Sequence, residues 1–181
     1  MADRKTLLST IGYEGASLED FIATLVAAEI RCLLDVRELP ISRRKGFAKT
    51  ALSGALQKAG IEYVHLKGLG DPKPGREAAR RKDYVTFRTI FTKHMQSETA
   101  KSDLKTAFKF IMAGGTCLMC FERDPHVCHR ELVASAVCDT FPVEIRHLGV
   151  RAGIAEQHSR RATQTGTRES SGARKGATAR R

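Results

Sequence analysis

The chain has 181 residues, 41% apolar and 28% charged, enough for one well-cored globular domain. Its formal charge of +11 is uneven: residues 149–181 hold eight Arg and Lys against Glu156 and Glu169, which leaves the remainder at +5. Residues 1–8 lack an apolar leader core, and no stretch approaches the roughly 20 apolar residues of a membrane span, so a membrane-spanning chain is excluded and a soluble, cytoplasmic one expected.

From the N-terminus, residues 5–13 are apolar and β-rich, and Ser17 with Asp20 three residues on resembles a helix start. Phe21, Ile22, Leu25 and Val26 then recur at helical spacing. Residues 30–36 form a second apolar run, 48–59 a helical pattern closed by Gly60, and 61–66 a third strand. Gly68, Gly70, Pro72, Pro74 and Gly75 mark a long loop over 68–75. Helical stretches are predicted at 76–96 and 99–113, a strand at 116–121, a helix at 129–141 and a last strand at 143–148. Alternating strands and helices imply a three-layer αβα, Rossmann-like domain over 1–150, with a mainly parallel sheet of about five strands and right-handed crossovers. The pattern does not fix strand order.

From 151 the composition turns to Ser, Thr, Gly, Ala, Gln and Arg. Residues 151–181 are therefore expected to be a disordered basic tail, either merely solubilising or adding salt-dependent contacts to nucleic acid.

Chemistry concentrates in residues 120–130, Cys-Phe-Glu-Arg-Asp-Pro-His-Val-Cys-His-Arg, at a strand-to-helix turn. In a parallel sheet every such turn lies along one edge, where ligands bind. Strand one brings Tyr13 and Glu14 to that edge; strand two brings Asp35 and Arg37, with Arg43, Arg44 and Lys45 in the loop after it; strand three brings His65; strand four brings Cys120, Glu122, Cys128, His129 and Arg130. Asp35 and Arg37 also read as a structural ion pair, the Arg43 run as a solvated face, and Glu122 as a salt-bridge partner of a nearby arginine. No GxGxxG or Walker sequence is present.

His129 and Arg130 open the predicted helix, where free N–H groups and the macrodipole favour a phosphate or carboxylate and would lower the pKa of Cys128. Partial burial is expected to raise the pKa of Glu122 and suit it to acid/base work. The five cysteines are an odd number, and Cys32, Cys117 and Cys138 lie in apolar runs typical of buried free thiols, which argues against a disulfide framework. A structural zinc on Cys117, Cys120, Cys128 and His129 is disfavoured: Cys117 and Cys120 are an odd number of residues apart on one strand, and adjacent Cys128 and His129 would have to chelate together. No metal or other cofactor is expected.

Several separated blocks carry a family resemblance: Thr10-Ile-Gly-Tyr-Glu-Gly15 with Ser17, Leu34-Asp-Val-Arg37 with Pro40 and Ser42, Gly60-Ile-Glu-Tyr-Val-His65, Leu69-Gly70, and Cys120-Phe-Glu122 with Cys128-His-Arg130. Through them the chain, over about residues 6–148, resembles the domain-of-unknown-function family numbered 488. The resemblance implies a single three-layer α/β domain with these blocks meeting at one sheet edge. It implies no reaction. Phe121 stands where a smaller residue is expected, and Cys32, Cys117 and Cys138 lie outside the resemblance.

The residues then support an enzyme on a phosphate-bearing substrate, a nucleotide or nucleic acid, in which arginines hold the phosphate and Glu122 with Asp35 acts at an N-glycosidic bond. His65, Cys120 and Cys128 are further catalytic candidates; Tyr13, Glu14, Arg37, Arg43, Arg44, His129 and Arg130 are substrate-binding candidates. The alternatives are a thiol redox protein cycling Cys120 and Cys128, and a non-catalytic nucleic-acid-binding module.

Overall fold

The run Thr-Cys-Leu-Met-Cys, apolar after its first residue, is buried at every position, as a strand covered on both faces must be, and it forms the central strand of the sheet. The computed structural model describes residues 6–157, 159 and 160. In chain order it contains β1 (Thr6–Gly12), α1 (Leu18–Ala27), β2 (Cys32–Asp35), α2 (Lys49–Lys58), β3 (Glu62–His65), α3 (Lys73–Arg80), α4 (Tyr84–His94), α5 (Glu98–Ala113), β4 (Thr116–Cys120), α6 (His129–Cys138) and β5 (Val143–Leu148). The five strands pair in parallel in the order β3-β2-β4-β1-β5. This is a three-layer α/β fold of the Rossmann-like kind.

Two apolar layers sandwich the sheet. Phe21 and Leu25 of α1 and Leu52 and Leu56 of α2 pack with Ile11, Leu33, Cys117 and Met119 on one face. Ala78, Phe87, Phe91, Ala107, Ile111, Val133 and Val137, from α3 to α6, pack with Leu8, Leu34, Leu118 and Cys120 on the other. Cys117 and Cys120 therefore face opposite layers, as strand alternation requires.

That division places the site. The chain leaves β1 and β2 toward the α1/α2 layer, whereas it leaves β4, which lies between them, toward α6 in the opposite layer. Diverging exits from neighbouring strands mark the carboxyl edge at which α/β folds place ligands. Register brings Gly12 beside Cys120 and Asp35 beside both Met119 and His65.

Local signals explain the helix boundaries. The Ser17 hydroxyl caps α1 by accepting from Asp20 N at 3.1 Å, and Asp83 caps α4 by accepting from Thr86 N at 3.1 Å. The single helix predicted over 76–96 is instead broken after Arg80, where Lys82 takes a φ of 61° and Asp83 starts a new helix. The long loop predicted over 68–75 is shorter, because a 3-10 turn covers Lys67–Leu69 and α3 begins at Lys73.

Residues 151–157, expected to open the disordered tail, include a turn and a helical segment from 154. They dock on α1, with Gly153 N and Ala155 N donating to the Asp20 carboxylate at 3.1 and 3.0 Å. The remainder of the predicted tail, 161–181, lies outside the described residues. Among the described residues no helix is long and apolar enough to cross a membrane.

Candidate functional site

β4 ends at Cys120, the chain turns through Glu122 and a 3-10 turn at Pro125–Val127, and α6 starts with Cys128 at its N-cap and His129 as its first residue. This turn closes the segment on itself. Cys120 Sγ donates to Glu122 Oε2 at 3.2 Å and lies 3.6 Å from His129 Nδ1. On its other side, the His129 ring places Nε2 2.7 Å from the Val36 carbonyl oxygen, beyond β2. That acceptor requires Nε2 to carry the hydrogen; Cys120 Sγ lies 3.9 Å from Nε2 as well as 3.6 Å from Nδ1. Cys120, Cys128 and His129 are 4, 2 and 6% exposed; Glu122 is half-buried at the open side.

Electrostatics inside the cluster differ from the sequence expectation. Burial pushes the Cys120 and Cys128 thiols up, Cys128 most, and this outweighs any help from the helix start. The expected low-pKa Cys128 thiolate is therefore corrected to a buried neutral thiol. Burial also acts to raise Glu122, but hydrogen bonds from Cys128, its own backbone N–H and Cys120, with His129 nearby, hold its carboxyl below the usual range. The expected upward shift of Glu122 is thus reversed. Burial alone would lower His129, yet Cys128, the Val36 carbonyl and Glu122 lift it to about 9.

The arginines are also placed differently from expectation. Arg130, 1% exposed, donates to the carbonyls of Glu122 and of Arg123 (3.0 Å), with Thr10 Oγ1 at 3.4 Å. It therefore holds the Glu122 turn instead of presenting a fork to a phosphate. Arg37 is bidentate to Asp35, Nε to Oδ1 at 2.9 Å and Nη2 to Oδ2 at 2.6 Å, and Nη1 donates to the Tyr13 hydroxyl and the Phe47 carbonyl. Asp35, fully buried, also accepts from Tyr63 Oη at 2.6 Å. The structural reading of this pair is the one the structure bears out: both carboxylate oxygens are engaged.

Tyr13 is buried, stacked on Phe47 at 4.3 Å and edge-on to Phe121 at 5.3 Å. Glu14 is exposed and accepts from Arg123 N at 3.0 Å, tying the β1 turn to the β4 turn. His65 places Nε2 2.8 Å from the Arg37 carbonyl. Arg43 and Arg44 are exposed, Arg44 Nε donating to the Ala16 carbonyl at 2.5 Å. Cys138, expected to be buried, is exposed at the end of α6, whereas Cys32 and Cys117 are buried as expected.

Asp71 is the site residue that sequence reasoning misses. It lies 4% exposed in the turn before α3, and its Oδ1 has no hydrogen-bond partner. Burial raises its carboxyl to about 6; His129 opposes that shift and Glu122 adds to it, which places all three within electrostatic reach. The signal for it is position, directly after Leu69-Gly70 at the end of the third strand's turn. Gly75 is part of the same arrangement, because a Cβ there would collide with the Asp71 carboxylate.

Thus the structure brings Cys120, Glu122, Cys128 and His129 together with Asp71, commits Asp35, Arg37, Tyr13 and Arg130 to internal hydrogen bonds, and leaves Arg43 and Arg44 exposed in the loop between β2 and α2. Such a nest of titratable groups, one with an unpartnered oxygen, is chemically able to hold a cation or to exchange protons with a bound molecule. No curated protein and no solved structure matches the chain. Residues 17–137, more than half the chain, match the family described as "Domain of unknown function DUF488", and the chain belongs to that family.

Proposed function

We propose that the protein is an enzyme acting on a nucleotide or nucleic acid at an N-glycosidic bond, by hydrolysis or transfer, with Glu122 and Asp71 as its carboxylate pair. The observation that carries this reading is Asp71: a carboxylate 4% exposed with an oxygen that nothing satisfies, beside a second carboxylate at the strand ends. Leaving a buried acceptor unsatisfied costs about 1–3 kcal/mol, and a bound substrate group recovers it. Asp71 replaces Asp35 of the sequence reading, since Asp35 is saturated by Arg37 and Tyr63.

Two carboxylates flanking a reacting sugar suit an oxocarbenium-like transition state, one protonating the departing base and the other facing the sugar's developing charge. With Arg37 and Arg130 committed to internal acceptors, the phosphate partners in this reading are the loop residues Arg43, Arg44 and Lys45, all exposed. Exposed Phe121, packed against Tyr13, offers a face on which a base can stack.

The test is release of free base from nucleoside monophosphates, nicotinamide dinucleotide and single-stranded oligonucleotides, followed by chromatography. Glu122→Gln and Asp71→Asn should each lower turnover by roughly 100-fold or more, while Arg43→Ala and Arg44→Ala should raise KM. Absence of base release from every substrate, or full turnover in Glu122→Gln, overturns the reading.

A further inference from the structure

The donor set buried beneath Glu122 goes beyond acid/base chemistry. We propose that Cys120 Sγ, Cys128 Sγ and His129 Nδ1 form a zinc site with an open fourth position on the Glu122 side. This stands on the geometry of the site, and not on any reading of the reaction.

The donor atoms of these residues lie within 4.8 Å of one another, all three residues buried. A tetrahedral zinc ion with Zn–S near 2.3 Å and Zn–N near 2.0–2.1 Å holds sulfur and nitrogen donors about 3.5 Å apart. Cys120 Sγ and His129 Nδ1 are 3.6 Å apart, longer than a good hydrogen bond and close to that tetrahedral edge. Nε2 donates to the Val36 carbonyl at 2.7 Å, which leaves Nδ1 as the nitrogen available to a metal, the outer-shell arrangement that supports metal-bound histidine. Cys120 Sγ lies 3.6 Å from Nδ1 and 3.9 Å from Nε2, so the ring turns to aim Nδ1 at an ion shared with the thiols, giving up the proton it carries there.

The two sequence objections to zinc are met differently. Cys117 is excluded, because it packs in the layer opposite Cys120. The adjacency of Cys128 and His129 is no obstacle, because Cys128 is extended at the N-cap (φ −118°, ψ 142°) while His129 begins the helix, and this change of backbone lets both reach Cys120. Three protein donors instead of four leave a position for water or substrate. Glu122 Oε2, 3.2 Å from Cys120 Sγ, borders that position.

A second observation, independent of the three donors, points to a missing cation. Asp71 Oδ1 is buried without a partner although the carboxylate lies within electrostatic reach of His129 and Glu122. A divalent ion, with or without a bound water, gives that carboxylate a favourable partner. Two sulfurs and one imidazole nitrogen select a borderline-soft ion such as Zn²⁺ over the oxygen-seeking Mg²⁺ and Ca²⁺.

The experiment uses the full chain, stripped with chelator under reducing conditions and titrated with Zn²⁺ and, separately, with Co²⁺ as a spectroscopic probe. One equivalent of Zn²⁺ should bind at micromolar or lower Kd. The Co²⁺ form should show thiolate-to-metal charge transfer with the intense visible bands of tetrahedral coordination. Cys120→Ser, Cys128→Ser and His129→Gln should each weaken binding by about 100-fold or more, with Cys117→Ser and Cys138→Ser unchanged. In case a ligand variant fails to fold, the parent protein supplies a parallel readout: over prolonged exposure of the native protein to the alkylating agent, Zn²⁺ should slow modification of Cys120 and Cys128, read by peptide mapping, and leave that of Cys138 unchanged. No stoichiometric binding, octahedral Co²⁺ spectra, loss of binding in Cys117→Ser, or equal alkylation with and without Zn²⁺ overturns the proposal. Base release by the stripped chain is scored separately, so failure of the zinc site does not decide the glycosidic reading.

Discussion

The carbonyl oxygen of Glu122 occupies the space that a side chain on Gly12 would need. A Cβ on Gly12 would collide with that carbonyl and come within 3.0 Å of Arg123 Cα. Gly12 ends β1 and Cys120 ends β4 beside it, so the glycine is what lets the Glu122 turn lie against the sheet. Gly12→Ala should cost about 3 kcal/mol, at the high end of overpacking by a single methyl, which lowers Tm by roughly 6–12 °C for a chain of this size. Thermal unfolding by circular dichroism checks this; a shift under 2 °C would show that the turn moves aside at little cost.

Arg130 secures the same turn from below, through the Glu122 and Arg123 carbonyls. Arg130→Lys keeps the charge but loses the planar fork. The expected outcome is a stability loss of about 2 kcal/mol, read from the urea midpoint, with inorganic phosphate affinity unchanged from the parent. A variant of parental stability that binds phosphate more weakly would return Arg130 to the substrate pocket.

Asp35 and Arg37 form a buried pair at the end of β2 that also gathers Tyr13, Phe47 and Tyr63. Removing one partner leaves an uncompensated charge, so Asp35→Ala should cost about 3–5 kcal/mol. Tyr63→Phe, which deletes one hydrogen bond and leaves the ion pair, should cost only about 1 kcal/mol. Equal losses in the two variants, measured by urea denaturation, would contradict this ranking.

Thiol reactivity should follow exposure. In native protein, a limiting alkylating agent should label Cys138 first, because it is the exposed thiol, with Cys32, Cys117, Cys120 and Cys128 protected. Peptide mapping after a short pulse decides it. Preferential labelling of Cys128 would mean that the α6 start opens on the labelling timescale.

The sheet and its helices were legible in the sequence because apolar periodicity reports burial directly: the largely apolar β4 run announces a buried strand, and Ser17 and Asp20 announce α1. Strand order was not, since which strands pair depends on packing of residues far apart in the chain. At the site, the cluster of Cys120, Glu122, Cys128 and His129 was visible from composition alone, but its electrostatics were not. The helix start was expected to lower Cys128, whereas burial in the layer beneath α6 dominates. The guanidiniums of Arg37 and Arg130 read as anion clamps because their actual partners, an internal carboxylate and backbone carbonyls, leave no mark in the sequence. Asp71 was missed because a lone Asp before Pro in a loop looks like turn chemistry.

Asp71 also gives the fold a pH signature with a definite sign. Its carboxyl rises from 3.8 to about 6 on folding, through burial above all. The folded state therefore holds this proton more tightly than the unfolded chain, so the contribution is fully present below the unfolded pKa and is lost as pH rises through about 6. A shift of this size corresponds to about 3 kcal/mol. In chelator, Asp71→Asn should accordingly unfold at a higher urea concentration than the parent at pH 8, while the two converge near pH 4. Under the proposed function, the gain at pH 8 should come with loss of turnover, because the group that destabilises the fold is the one the proposed reaction uses. Parallel stability profiles across pH 4–8 would show that Asp71 finds a partner in solution and stays ionised, and the carboxylate pair would lose its proton donor.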